Sequence, residues 1–545
     1  MLKKHLRTIF SLIIGLLTFL QIFGINFLFS KTSFFFTVDH PMFHAGYLAY
    51  INDSWNIPLT VTNNLFSESS ISINFMDSIP IFSFLLKTIY SFLGYKIFNP
   101  FPIWYLICYI LFALYAGKIL SLQIKNDFVF GVSLLLLVNT PLMVNRMLWH
   151  SALSAHWIVL SSIYYYLINK KNNFNSLNIF ALMTGISIFI HIYLFSMIAS
   201  IYLVTLLLAI TMSKLKEVFH SLIVLSLVLI VYFFFFFSIG DGVILFTRDY
   251  FKYGAEFNSF FCGEFPLKIL NEILWCYPPY TAIGHEGYGY LGLGFIFLLS
   301  LLIFFPKKIY YSLKSNYLIS LCLFFMTIFS FGNKWKIAHK QFYEFQPLLL
   351  HMKLLELFRA TGRFIWPVYY FLMVYLIFRI ASLSKKYLPF LILTISLILQ
   401  LYDTNKIYEV KSSLFKVNIP TTQQAEMAKN IFLQSPEEVL YLLPDERCSW
   451  GEIDHYIVAL YYLNEGGTLQ STRTARLKIN PSICNGYNVE KDIKNNIPFH
   501  FVINDIGLIQ DIKIINNYTC IPIISFEVST RKPSYCKKQI NEQEG

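Results

Sequence analysis

Apolar stretches close to the length of a bilayer crossing recur along the chain from residue 8 to about residue 402, separated by short polar turns. They predict membrane-spanning helices at about 8–29, 101–120, 128–144, 151–168, 178–193, 195–212, 218–240, 287–305, 316–332, 364–382 and 387–402, roughly eleven in all. A further run, Ile79 to Tyr95, is equally apolar but opens on Asp77-Ser78-Ile79-Pro80 and closes on Gly94 and Lys96. Beyond residue 402 the pattern changes. Short apolar runs such as Val439 to Leu443 accompany helical spacing around Ile453 to Leu463, which predicts a small α/β domain. The expected fold is an α-helical polytopic membrane domain over 1–402, followed by a soluble extracytoplasmic α/β domain over 403–545.

Composition supports this: 56% of residues are hydrophobic and only 14% are charged, too few charges to cover a soluble globule. The net charge of +12 makes no case for nucleic acid, because lysines in a membrane protein mostly mark cytoplasmic loops. They also settle the run at 79–95. If it crosses the membrane, Lys170/Lys171, Lys214/Lys216, Lys307/Lys308 and Lys385/Lys386 all fall outside; if it lies on the outer surface, all four pairs fall inside with Lys118 and Lys125. The run is therefore expected to be an interfacial helix within a first outer loop, 31–100, with the N-terminus cytoplasmic and the C-terminal domain outside. This arrangement requires 178–212 to be a tight hairpin of two short spans. The first run, 8–29, is too long for a signal-peptide core and has no small-residue cleavage site, so it reads as an uncleaved span.

Of the eight cysteines, Cys108 and Cys322 fall in spans. Cys262, Cys276, Cys448, Cys484, Cys520 and Cys536 all fall on the outer side, where even counts predict disulfides. Cys262 is expected to pair with Cys276, and the four tail cysteines among themselves, in one of three connectivities.

Candidate chemistry collects in the outer loops. The first holds Asp39, His40, His44, Asp53, Glu68 and Asp77. Asp39 and Asp77 adjoin apolar segments, where partial desolvation suits a carboxylate to general-base work, whereas Glu68 reads as solvated. His40 and His44 lie one helical turn apart, compatible with a divalent metal, and no other cofactor is indicated. Trp55, with Asp53 before it and Pro58 and Asn63/Asn64 after it, reads either as part of a sugar cleft or as an interfacial anchor. Arg146 and His150 share a helix face at the mouth of a span. His285 and Glu286 meet the membrane at a Gly-rich turn. A cationic loop with Lys334, Lys336, Lys340, Lys353, Arg359 and Arg363 stands on the otherwise acidic or neutral outer side, and asks for an anionic partner such as phosphate. No phosphate-binding P-loop, HExxH or GxSxG motif occurs.

Together these features resemble the GT-C superfold of membrane glycosyltransferases, which use polyprenyl-phosphate sugars or oligosaccharides. Asp39 matches the acidic residue that family carries soon after its first span, and Asp77-Ser78-Ile79-Pro80 matches in kind a second acid before a proline and an interfacial helix. Arg146 and His150 stand where the family usually supplies another acid, a departure that leaves metal dependence and donor type open. The chain is also similar to an uncharacterised bacterial membrane family, domain of unknown function 6311. The shared patterns are Asp53-x-Trp55-x-x-Pro58-Leu59, Asp77-Ser78-Ile79-Pro80, Arg146-x-x-x-His150 and Phe358-Arg359-Ala360-x-Gly362-Arg363-Phe364-x-Trp366-Pro367.

The resemblance implies a transferase at the outer face of a bacterial plasma membrane. It would move a sugar from polyprenyl phosphate to an envelope glycan or lipid acceptor, with membrane lipid as the surrounding partner. In that reading Asp39 and Asp77 are catalytic, and Arg359 and Arg363 hold the donor phosphate. His40, Asp53, Trp55, Arg146, His150, His285 and Glu286 line the sugar or acceptor pocket. Two alternatives remain. A lipid-linked glycan flippase would need mid-span ionisable residues, of which His191 is a candidate, and a fold repeated in two halves. A non-catalytic scaffold for envelope polysaccharide assembly would need neither.

Overall fold

The computed structural model describes residues 2–30, 40–65, 70–238, 243–244, 253–263, 285–302, 311, 314–337, 340–344, 358–384, 387–416, 421–436, 438–443, 453–470, 477–478, 489–496, 500–503, 505–523 and 534–539. Seven of the described helices are long and apolar enough to cross a membrane: Leu2–Phe23, Phe101–Ser121, Asp127–Met147, Ile192–Thr211, Leu215–Phe236, Thr361–Ala381 and Leu388–Val410. The other four expected spans coincide with shorter helices at Trp157–Lys171, Leu177–Ile188, Leu293–Leu302 and Tyr317–Phe331.

In chain order, α1 (Leu2–Phe23) packs along α4 (Phe101–Ser121). Between them come α2 (His40–Asn52) and α3 (Pro80–Leu93). Helix α2 is buried along nearly its whole length, and three of its polar side chains bond to backbone beside it. His44 Nε2 lies 2.6 Å from the Phe98 carbonyl, the Tyr47 hydroxyl donates to the Ile97 carbonyl at 2.7 Å, and the Tyr50 hydroxyl donates to that of Leu59 at 2.6 Å. Fourteen residues give α3 a length of about 21 Å, short of a hydrocarbon core of about 30 Å. Leu85, Ile89, Phe92 and Leu93 form an exposed apolar stripe along it.

Helices α5 (Asp127–Val138), α6 (Pro141–Trp149) and α7 (Trp157–Lys171) follow. Then α8 (Leu177–Ile188) and α9 (Ile192–Thr211) meet at a three-residue break. Phe180 and Tyr202 meet edge to face with ring centroids 5.4 Å apart, whereas a straight helix would separate them by about 33 Å. The segment 178–212 is thus a hairpin whose tip carries His191. Helix α10 (Leu215–Val231) packs on α8.

The remaining membrane-domain helices are α11 (Leu293–Leu302), α12 (Tyr317–Phe331), α13 (Ile365–Ala381) and α14 (Leu388–Lys416). Polar residues of α14 receive the start of α11. Asp403 Oδ2 accepts from the Tyr290 hydroxyl at 2.8 Å and from Leu293 N at 3.1 Å, and Gln400 Oε1 accepts from Gly294 N at 3.1 Å. A carboxylate at a helix N-terminus also suits the helix dipole. The boundary expected at 402 falls inside α14, which runs on to Lys416 as one helix.

Three short antiparallel pairs, β1 (Val61–Thr62) with β2 (Ile71–Ser72), β3 (Val243–Ile244) with β8 (Leu477–Lys478), and β4 (Lys334–Ile337) with β5 (Lys340–Glu344), stand apart from the main sheet. Beyond α14, strands β6 (Val439–Leu443), β7 (Thr468–Leu469), β9 (His500–Ile503), β10 (Tyr518–Pro522) and β11 (Ser534–Lys538) form a mixed sheet in the order β10-β11-β9-β6-β7. Strand β6 is parallel to both β7 and β9, and the two outer strands beyond β9 are antiparallel. One face buries Leu443, Phe501, Ile503 and Ile514. The helices α15 (Thr422–Gln434) and α16 (Ile453–Glu465) contribute Ala428, Ile431, Val458 and Leu460 to the large core. Cys520 and Cys536 face one another across β10 and β11 and form a disulfide. Cys262 is also disulfide-bonded, while Cys276, Cys448 and Cys484 lie outside the described residues.

This tail does not hang free of the membrane domain. Helix α16 packs on α2. The Asn52 amide donates to the Leu463 carbonyl at 2.8 Å, Phe98 stacks on Tyr461 at 4.9 Å, and Leu469 N donates to the Asn64 carbonyl at 3.0 Å.

Candidate functional site

At one end of the helix bundle, five separate stretches of chain place ionisable side chains in a continuous line. The first is the turn before α3. Asp77 and Ile79 both adopt left-handed backbone, with φ of 54° and 53°. That conformation is tolerable for Asp but costly for a β-branched residue, by roughly 1–3 kcal/mol. Ser78 between them donates its hydroxyl to the Phe43 carbonyl at 2.7 Å, and Pro80 opens the helix with its preset φ. The turn holds Asp77 inward at 10% side-chain exposure.

His150 stands at the end of α6 and bridges two carboxylates. Its Nδ1 lies 3.2 Å from Asp77 Oδ2, and its Nε2 lies 3.3 Å from Glu286 Oε1. On the far side of Asp77, His191 Nε2 approaches Oδ1 at 3.5 Å. Tyr193 N donates to His191 Nδ1 at 3.1 Å, which leaves the ring proton on Nε2, facing the carboxylate.

Glu286 is the hub at the other end. Arg363 grips it side-on, Nε to Oε2 at 2.6 Å and Nη2 to Oε1 at 2.7 Å, and Arg146 Nη1 reaches Oε2 at 3.0 Å. Arg363 also lies over the Tyr193 ring at 4.5 Å and Arg146 over Trp366 at 5.3 Å, so both cations are walled by aromatic faces. The pairing depends on close backbone approach between the turns His285–Gly287 and Thr361–Phe364. A Cβ on Gly362 would come within 2.6 Å of Gly287 Cα.

The electrostatics follow from this geometry. Burial pushes the Asp77 carboxyl up, but His191, His150 and Arg363 together outweigh it and hold it below its ordinary 3.8. Burial likewise opposes the ionised form of Glu286, yet Arg363, Arg146 and His150 keep it well below 4.5. Burial disfavours the charge on His150, but its contacts with Asp77 and Glu286 prevail over burial and over Arg363, so its pKa lies above 6.5. With His150 protonated, two guanidinium groups and one imidazolium face two carboxylates. Counted over the described residues, the line then carries one net positive charge, which favours an anionic ligand.

Asp77, Arg146, His150, Glu286 and Arg363, read separately in the sequence, are thus brought together, and His191 joins them. The sequence placed His191 mid-span; its signal was its position between two short apolar runs, which puts it at a hairpin tip. Arg363, expected to fork a donor phosphate, instead has its Nε edge filled by Glu286. Arg359 is exposed and lies over the Tyr253 ring at 5.2 Å.

The remaining described candidates lie outside this line and contact groups of their own surroundings. Asp53 closes its own turn, accepting from Ser54 N and Asn63 N at 2.7 Å each. Trp55 donates to the Ser91 hydroxyl at 3.2 Å and flanks Lys87, whose Nζ lies 4.8 Å from its ring centre. His40 Nδ1 faces the Ser151 hydroxyl at 3.3 Å. His44 is fully packed, and burial drives its pKa down to about 4 against the opposing Phe98 carbonyl. His40 and His44 therefore face different partners. Asp39, Glu68 and the side chain of His285 lie outside the described residues.

Among the described residues, the main site's carboxylates and imidazole already face one another or guanidinium groups. Two guanidinium groups already occupy Glu286, and both His150 nitrogens face carboxylates. Among the described residues no three His, Cys, Asp or Glu side chains group to hold a metal ion.

No curated protein matches the chain. Among solved structures it is similar to arabinofuranosyltransferase AftD from Mycobacteria, a single-particle cryo-EM structure, at 10% sequence identity and a TM-score of 0.49. The match covers 99% of this chain and 40% of that one, so the chain spans less than half the length of AftD. The family model described as Domain of unknown function (DUF6311) matches residues 12–405, and the chain belongs to that family.

Proposed function

We propose that this member of the family is an integral membrane glycosyltransferase. It would transfer a sugar from a polyprenyl-phosphate donor to an envelope glycan or lipid acceptor, at the outer face of a bacterial plasma membrane. The observation that carries the reading is the line of ion pairs from His191 to Arg146, with its net positive charge, at one end of an apolar bundle.

A second feature supports the donor class. An apolar crevice of about 370 Å³ runs between α9 and α12, lined by Leu203, Leu207, Leu321, Phe325 and Phe329, and reaches Phe364, the neighbour of Arg363. A cationic site at the head of an apolar crevice suits a phosphate carried on a long hydrocarbon chain.

In this reading the acceptor hydroxyl attacks the anomeric carbon. Its proton passes to Asp77, and the sugar–oxygen bond to phosphate breaks, leaving polyprenyl phosphate. Asp77 suits the role because its neighbours keep it ionised. Arg363, Arg146 and protonated His150 stabilise the charge that develops on the leaving phosphate, with exposed Arg359 at the rim. Asp39 is the second candidate base.

The test is transfer from a synthetic polyprenyl-phosphate sugar in proteoliposomes. Asp77→Asn should lower the rate by about a hundred- to ten-thousandfold. Its fold should persist, because Asn tolerates the left-handed backbone that Asp77 adopts. Wild-type transfer by Asp77→Asn would remove it as the base, and Asp39→Asn measured in parallel tells which carboxylate acts. Movement of intact glycolipid across the bilayer without bond exchange would point to a flippase instead.

A further inference from the structure

Six lysines and arginines mark the stretch from Lys334 to Arg363, but they do not all belong to the ion-pair site. Lys334, Lys336 and Lys340 lie on a separate two-stranded ribbon, β4 (Lys334–Ile337) paired antiparallel with β5 (Lys340–Glu344). The ribbon pairs Trp335 with Tyr343, their rings 5.6 Å apart, and Lys336 O accepts from Phe257 N at 3.1 Å. Phe257 stacks on Phe331 at 4.2 Å and meets Phe342 at 5.5 Å, which fixes the ribbon to the end of α12.

The ribbon leaves an unusual amount of apolar surface in the open. Phe342 is 58% exposed, Tyr343 52%, Phe257 40% and Ile337 37%. A scattered exposed apolar residue needs no explanation, but a patch rimmed by Lys336, Lys340 and Lys334, the last 3.4 Å from Glu344 on the paired strand, does. Position supplies the explanation. Helix α12 has fifteen residues, a length of about 22 Å, so a hydrocarbon core of about 30 Å extends past its ends. Strand β4 starts three residues beyond Phe331, which, with α12 set across a bilayer, puts it where apolar tails give way to headgroups. Aromatic rings and lysines are the side chains that settle at that boundary.

We infer that the β4–β5 ribbon is an interfacial anchor. Phe342, Tyr343 and Ile337 dip into the acyl boundary, while Lys334, Lys336 and Lys340 bind anionic phospholipid headgroups. The ribbon is joined through residues 253–263 to the turn that abuts Arg363, since Gly362 N donates to the Tyr253 carbonyl at 2.9 Å. Headgroup binding therefore holds the rim of the ion-pair site at a fixed depth. The inference stands on the ribbon alone and does not require that the site transfer sugars.

The test uses the full-length protein in nanodiscs, with an environment-sensitive dye on Phe342→Cys and, as a second position, Ile337→Cys, both in a Cys322→Ala background. In discs containing phosphatidylglycerol the dye should emit to the blue of its value in purely zwitterionic discs. It should be quenched by lipids spin-labelled near the headgroup and shielded from aqueous iodide. Replacing Lys334, Lys336 and Lys340 together by Gln should abolish the difference between the two discs. Equal iodide quenching in both discs, at both positions, would overturn the inference by placing the ribbon in water. A dye response to soluble glycan, with none to lipid charge, would overturn it in favour of an acceptor-binding surface.

Discussion

Two ends of the helix bundle carry ion pairs, and the contrast between them separates function from solubility. At the end where α1 starts, Lys3 and Arg7 meet Asp127 at 2.9 and 2.6 Å. Lys170 nearby donates to the Asn316 side chain at 2.6 Å. Asp127 and Lys3 are about 60% exposed, water screens them, and such pairs contribute little. At the other end the distances are similar, but Arg146, Arg363 and Glu286 are 0%, 7% and 15% exposed. There each charge depends on its neighbours, because burial without a partner is costly. Contacts of equal length thus play opposite roles: the first marks a solvated edge, and the second fixes a geometry that is unstable unless complete.

The comparison can be broken most severely at Glu286. Glu286→Gln takes a carboxylate away from two buried guanidinium groups, and removing one partner of a buried pair typically costs about 3–5 kcal/mol. Melting in detergent should fall accordingly, and wild-type stability would mean that water reaches the arginines. A smaller loss is expected from Gly362→Ala, whose added methyl meets the backbone of Gly287. Forcing the two turns apart should cost roughly 1–3 kcal/mol, read as a lower melting temperature together with weaker transfer.

The pH dependence should be gentler. The folded pKa of His150 is raised above 6.5, so its contribution is complete below 6.5 and fades as pH rises through the higher folded value. Asp77 and Glu286, with depressed pKa values, contribute above the ordinary carboxylate range and lose that contribution as pH falls through their folded values. Stability should therefore sag on both sides of a middle window, and His150→Gln should flatten the alkaline side and also shrink the acid side, because His150 helps hold both carboxyls down. An unchanged alkaline limb in that variant would assign the titration elsewhere. The smallest effect belongs to the solvated end, where Asp127→Asn should leave the melting temperature unmoved at moderate salt.

Hydrophobic runs were readable because their period and length are local properties. Seven of the expected spans coincide with helices long and apolar enough to cross a membrane and four with shorter helices, and the hairpin at 178–212, which the lysine distribution required, is present with Phe180 against Tyr202. Members of the site were readable one at a time, as ionisable residues next to apolar segments. Their assembly was not, because Asp77, Glu286 and Arg363 are separated by whole helices and meet only in the tertiary fold. The same limit worked in reverse for Asp53 and His44. Both looked chemical by residue type, and both are absorbed by a nearby backbone group that spacing alone does not reveal.

The clamp of α16 on α2 has a consequence for how the protein is made. Asn52 and the Leu463 carbonyl that it bonds are 411 residues apart. At a synthesis rate of about 5–20 residues per second, the ribosome needs roughly 20–80 s to travel between them. Throughout that interval α2 has left the translation machinery without its cover, while the helices that flank the ion-pair site are still being inserted. The first loop to emerge is therefore among the last parts to be finished, and a chain truncated before Ile453 lacks the helix that covers it.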